Sequence, residues 1–138
     1  MIFWDSSALV PLLIRETETE RCQDWLKSDP DMLVWYFSPL ECLSAYFRRH
    51  RNLENEKTLQ FKDRLTTLRQ CWNEVQAQEI VRARAERIIA LHDLRAADAL
   101  QLAAALVACE ERPERISFAS FDKRLSDAAL REGFTVLK

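Results

Sequence analysis

The chain has 138 residues, 48% apolar and 30% charged, a globular composition long enough to bury a core without disulfides or a structural metal. Its formal net charge of −2 gives no bulk signal for nucleic-acid binding, although an acidic centre would offset basic residues elsewhere in the sum. The single glycine, Gly133, excludes both the Walker A loop and the G-x-G-x-x-G fingerprint.

No glycine- or serine-rich linker and no internal repeat interrupts the chain, so one domain over residues 1–138 is expected. Cys22, Cys42, Cys71 and Cys109 form no C-x-x-C pair and lie in apolar or helical patterns, so reduced, buried thiols are expected. The start, Met1-Ile2-Phe3-Trp4-Asp5, lacks a basic n-region and is cut short by an acid. The longest apolar run, Ala96 to Cys109, is too short to cross a bilayer, which takes about 20 residues. A cytoplasmic protein with no membrane partner is the expectation.

In chain order, Ile2 to Trp4 reads as a short buried strand, and Ser6 to Leu13 as a helix with proline near its first turn. Thr17-x-x-Glu20 has the form of a capping box opening a second helix, with Cys22, Trp25 and Leu26 on its apolar face. Met32 to Phe37 is the clearest strand. It runs into Ser38-Pro39-Leu40-Glu41, with serine as N-cap and proline at the first helical position. Leu40 to His50 and Glu54 to Leu68 have helical spacing and could form a hairpin.

Cys71 to Val75 reads as a short strand or extended link, and Gln78 to Leu91 as a helix. Asp93 could cap a long helix from Leu94 to Cys109. Ile116 to Ala119 reads as a buried strand, Lys123 to Arg131 as a helix closed by Gly133, and Phe134 to Leu137 as a last strand. Strands separated by helices imply right-handed βαβ units. The expected fold class is α/β, a parallel sheet flanked by helices on both faces.

Asp5, Glu41 and Asp122 stand where a strand-like run gives way to a helix, and the carboxyl ends of parallel strands line the crevice where ligands bind. Each has a structural alternative. Asp5 and Asp122 can cap the helices that follow them, and Ser38-x-x-Glu41 has capping-box spacing. Asp98 differs, because Leu94, Asp98 and Leu102 succeed one another on one helix face. A buried acid there needs a partner or a metal. Arg95 could pair with it, or could equally face a phosphate beside a metal.

Clustered carboxylates repel one another by about 4 kcal/mol per close pair at an effective dielectric of about 20, and a cation relieves this. Mg²⁺ or Mn²⁺ is expected, since the donors are hard oxygens and no His/Cys cluster is available for zinc. His50 and His92 read as surface or capping residues near helix ends. Arg48-Arg49-His50-Arg51 could attract a nucleic-acid backbone or simply serve the helix dipole, and the same holds for Arg82, Arg84 and Arg87. The four tryptophans read as core.

Four segments carry a family resemblance: Phe3-Trp4-Asp5-Ser6-Ser7-Ala8-Leu9, Ser38-Pro39-Leu40-Glu41-Cys42-Leu43-Ser44-Ala45, Leu94-Arg95-Ala96-Ala97-Asp98-Ala99-Leu100-Gln101-Leu102-Ala103 and Ser120-Phe121-Asp122-Lys123-Arg124-Leu125. In order and spacing they resemble the PIN domain, in particular the VapC-like toxins of toxin-antitoxin pairs. The resemblance implies a Mg²⁺- or Mn²⁺-dependent endoribonuclease whose catalytic acids are Asp5, Glu41, Asp98 and Asp122, with Asp5, Asp98 and Asp122 on the metal and Ser7 in support. It also implies an RNA substrate, a homodimer and an antitoxin protein that covers the site. Ser6 departs from the commoner Asp-Thr-Ser start of these toxins without touching the acid itself. The alternative is a protein-binding module that keeps this fold without catalysis; retention of all four acids argues against it.

Overall fold

The computed structural model describes residues 1–138. Five strands, β1 (Ile2–Trp4), β2 (Met32–Trp35), β3 (Trp72–Val75), β4 (Ser117–Ala119) and β5 (Thr135–Leu137), form one sheet in the order β3-β2-β1-β4-β5. Every neighbouring pair is parallel. From the central β1 the chain winds first through β2 and β3, then returns to the other side for β4 and β5. The order therefore reverses between β1 and β4, and the crevice of an open α/β sheet lies at such a reversal.

Seven helices cover the sheet: α1 (Ser6–Leu13), α2 (Thr19–Ser28), α3 (Ser38–Arg49), α4 (Glu56–Arg69), α5 (Glu79–Leu91), α6 (Ala96–Ala108) and α7 (Lys123–Arg131). Alternation along the strands divides the core in two. Ile2, Trp4, Met32 and Val34 pack with residues of α1 to α4, whereas Phe3, Leu33, Trp35 and Phe118 pack with residues of α5 to α7. The expected α/β class, with helices on both faces, is what the chain forms. Gly133 follows α7 at φ +97, the left-handed backbone that lets glycine close a helix.

Several local expectations are corrected. α2 starts at Thr19 without a side-chain cap, so Thr17 and Glu20 form no box; the buried Thr19 hydroxyl instead donates to Pro11 O and accepts from Glu16 N, both at 2.8 Å. β2 ends at Trp35, and Tyr36 and Phe37 lie in an exposed turn. Phe37 takes the N-cap place of α3, so Ser38 lies inside the helix and caps nothing.

Asp93 does not cap α6 either. Leu94 N bonds back to His92 O at 2.9 Å, a turn that delays the helix until Ala96, with Arg95 at the cap. Asp98 is therefore in the first turn of α6 rather than midway along an apolar stripe. Of the cysteines, Cys22, Cys42 and Cys109 are buried but Cys71 is exposed, because it sits in the turn between α4 and the edge strand β3. Trp4, Trp35 and Trp72 are core and Trp25 is half-buried.

Candidate metal and nuclease site

Asp5 leaves the carboxyl end of β1 and is almost fully buried. It caps α1: Oδ2 accepts from Ser7 N at 3.1 Å and from Ser7 Oγ at 2.5 Å. The same oxygen accepts from Ser120 Oγ at 3.1 Å. Oδ1 is approached only by Ser6 Oγ, at 3.4 Å. The capping bonds thus fall on Oδ2 and leave Oδ1 the less engaged oxygen. Burial raises the Asp5 carboxyl above its ordinary value, and the bonds from Ser7, Ser120 and Ser6 oppose this without cancelling it.

The two serines tie the ends of β1 and β4 together across the sheet reversal. Ser7 Oγ accepts from Phe121 N at 2.9 Å, and Ser120 Oγ accepts from Asp122 N at 3.1 Å. Asp122 itself caps α7 through Leu125 N at 2.8 Å and is exposed. Ser120 was not among the residues singled out in the sequence. Its signal was its place two residues before a strand-exit acid, but its partner lies 115 residues away.

Glu41, half-buried in the first turn of α3, is held from across the interface by Gln101 of α6. Gln101 Nε2 donates to Glu41 Oε2 and to Ser38 Oγ, each at 2.9 Å. The capping-box alternative for Glu41 is therefore not realised. Gln101 is fully buried and was likewise passed over in the sequence, where a lone glutamine on an alanine-rich helix carries no chemical label. Burial raises the Glu41 carboxyl, the Gln101 bond opposes it, and the charges of Asp5 and Asp98 add to the rise.

Asp98 stands one turn before Gln101 on α6. Burial raises its carboxyl, then the charges of Asp122 and Asp5, with Arg95 opposing. Arg95 makes no ion pair within 4.0 Å of Asp98, so the local-pair alternative is not formed. A cleft of about 680 Å³ is lined by Ser7, Glu41, Arg95, Asp98 and Asp122, and by Arg48, Arg49 and His50. Asp5 lies behind it, joined to the wall through Ser6 and Ser7.

The donor chemistry fits Mg²⁺ or Mn²⁺: the acids offer hard carboxylate oxygens, and burial, then neighbouring carboxylates, raises Glu41 and Asp98. No three His, Cys, Asp or Glu side chains are drawn to ligating distance, so there is no closed protein cage. Mg²⁺ commonly keeps several waters and takes one or two carboxylates together with substrate phosphate. Asp98 and Asp122, which line the same cleft, offer two carboxylates for such binding.

A parallel α/β domain with acids converging on its sheet reversal defines the class. Residues 2–130 match the PIN domain family model, and the chain belongs to that family. No curated protein matches it in sequence. Among solved structures, FitAcB from Neisseria gonorrhoeae superposes with TM-score 0.70 at 20% identity, covering 100% of this chain and 97% of the other. VapC20 of Mycobacterium tuberculosis, described as a sarcin-ricin loop cleaving toxin, gives 0.69 at 17%, covering 98% and 97%. A toxin-antitoxin complex from Klebsiella pneumoniae gives 0.68 at 14%, covering 100% and 97%. At these identities the likeness is one of fold.

Proposed function

We propose that this chain is a Mg²⁺- or Mn²⁺-dependent endoribonuclease, the toxin half of a toxin-antitoxin pair. The carrying observation is that Glu41 of α3, Asp98 of α6 and Asp122 of the β4 exit line one cleft, with Asp5 of the β1 exit buried behind its wall. Asp98 and Asp122 on the cleft wall, and Asp5 through Oδ1 from behind it, would hold the ion once drawn in around it, since no three of these side chains stand at ligating distance in the structure. When bound, the ion supplies a water of lowered pKa and neutralises charge on the phosphoryl oxygens.

Glu41 would hold a second ion or orient the water. Its Oε2 is held by Gln101, which leaves Oε1 to orient the nucleophile and take its proton. Ser7 and Ser120 fix the Asp5 carboxylate in place. Arg95, exposed on the rim, positions the phosphate. The toxin reading draws support from two neighbours, one described as a toxin-antitoxin complex and one as a toxin, and brings with it an antitoxin that covers the cleft, a homodimer and a cytoplasmic setting. No helix is long and apolar enough to cross a membrane.

The test is cleavage of RNA with Mg²⁺ or Mn²⁺ and its loss in EDTA. An Asp98→Asn chain that stayed fully active would overturn the assignment.

A further inference from the structure

The cleft is longer than one phosphate, and besides the acids it is lined by Arg48, Arg49, Arg95 and Arg124. Glu41 and Arg48 lie seven positions apart on α3, about 10 Å along the axis at about 1.5 Å per residue. A stacked strand advances about 3.4 Å per nucleotide, so an RNA with its reacting phosphate at Glu41 extends past Arg48. Glu41 is in the first turn of α3 and Arg48 and Arg49 in its last, with His50 just after, and all four line the cleft.

The basic residues there are not equivalent. Arg49 is already neutralised by Glu16, at 3.0 Å, whereas Arg48 makes no ion pair. Arg51 is exposed and does not line the cleft. His50 is stacked on Tyr46 with ring centroids 4.6 Å apart, and Tyr46 on Phe61 at 4.2 Å. Tyr46 is pinned in turn by its hydroxyl to Thr58 Oγ1 at 3.0 Å. One unpaired guanidinium beside the end of a fixed aromatic column is the combination that holds single-stranded nucleic acid, phosphate on the cation and base on the ring.

We infer that Arg48 and His50 form a subsite for a nucleotide flanking the cut, Arg48 binding its phosphate and His50 its base. This rests on the nuclease reading and deepens it. A competing role for Arg48, in the last turn of α3, is to serve the helix dipole; that role would alter stability but not RNA binding.

The experiment is fluorescence anisotropy of an eight-nucleotide single-stranded RNA in Mg²⁺, with Asp98→Asn as the background that prevents turnover. Adding Arg48→Gln should weaken binding about fivefold and lower the slope of log K against log salt by about 0.7, one phosphate contact on a single strand. Adding His50→Ala should weaken binding about tenfold, the loss of one stacked base. Arg51→Gln, with the same charge change one helix-end away, should stay within twofold. Equal binding by the Arg48→Gln and Arg51→Gln proteins, with or without a change in unfolding midpoint, overturns the subsite. The nuclease reading fails separately, when the unmodified chain binds the oligonucleotide but does not cleave RNA with either metal.

Discussion

Gln101 Nε2 donates to Glu41 Oε2 at 2.9 Å, a bond that joins α6 to α3 one turn after Asp98. A carboxylate with one oxygen fixed from outside the cleft has a defined direction for the other. Gln101→Leu removes that constraint and leaves Glu41 Oε2 and Ser38 Oγ without their donor. Cleavage should fall about 10- to 100-fold, within the roughly 10²- to 10⁴-fold that a positioned acid-base group contributes. Stability should fall by about 1–3 kcal/mol, since buried acceptors lose their partner. Ser38→Ala supplies the comparison: it destabilises but keeps the Glu41 bond, so its cleavage should stay near normal. Urea unfolding and single-turnover RNA cleavage on both variants check this.

Asp5 caps a helix through Oδ2 and in the proposed function holds an ion through Oδ1, and two substitutions separate these roles. Asn is as good an N-cap as Asp, whereas Ala costs about 0.5–2 kcal/mol. Asp5→Asn should therefore unfold near the wild-type midpoint yet lose cleavage by at least a hundredfold, and Asp5→Ala should lose both. Wild-type cleavage by the Asp5→Asn protein would leave Asp5 as a cap alone.

Much of this organisation was legible in the sequence, for identifiable reasons. Short apolar runs ending in Asp5 and Asp122 marked β1 and β4, and their order with intervening helices implied parallel pairing. The four acids were visible because each sat in an ordered motif. The start of α6 was misjudged because Leu94 matches the apolar spacing of the helix but belongs to the turn before it. Glu41 looked like half of a capping box because Ser38 has the right spacing; only the fold shows that Ser38 is inside the helix and bonded to Gln101. The strand order, and with it the meeting of Ser7 with Phe121, depends on contacts more than a hundred residues apart that no local pattern encodes.

The raised acids make the metal-free chain sensitive to pH in a definite direction. Burial, then Asp122 and Asp5, lift the Asp98 carboxyl above 3.8, so over the window from there upward the folded chain holds a proton that the unfolded chain has released. Stability from this group is complete below the ordinary carboxylate value and is lost as pH rises through the raised one. Asp98→Asn cannot titrate. In EDTA, the stability of wild type minus that of Asp98→Asn should fall across this window and then level off. Asp29, lowered by its bond from the N-terminal amine, works in the opposite sense but cancels in the difference. Saturating Mn²⁺ at about a hundredfold over Kd should return about 2.7 kcal/mol to wild type at neutral pH and much less to the variant. Urea titrations from pH 3.5 to 8, with and without Mn²⁺, measure both effects.

Ser120 gives the cleanest separation of support from stability. Its hydroxyl donates to Asp5 Oδ2 and accepts from Asp122 N, both at 3.1 Å, so one buried side chain holds two of the acids. Its backbone oxygen separately accepts from Ser126 Oγ at 3.1 Å. Ser120→Ala and Ser126→Ala each delete a buried hydroxyl and should each cost about 1–3 kcal/mol. Only the first removes a bond to Asp5, and only the first should weaken Mn²⁺ binding, by about 10- to 100-fold. Calorimetric Mn²⁺ titration beside urea unfolding decides the point. Equal Mn²⁺ affinity in the two variants would confine Ser120 to holding the β1 and β4 exits together.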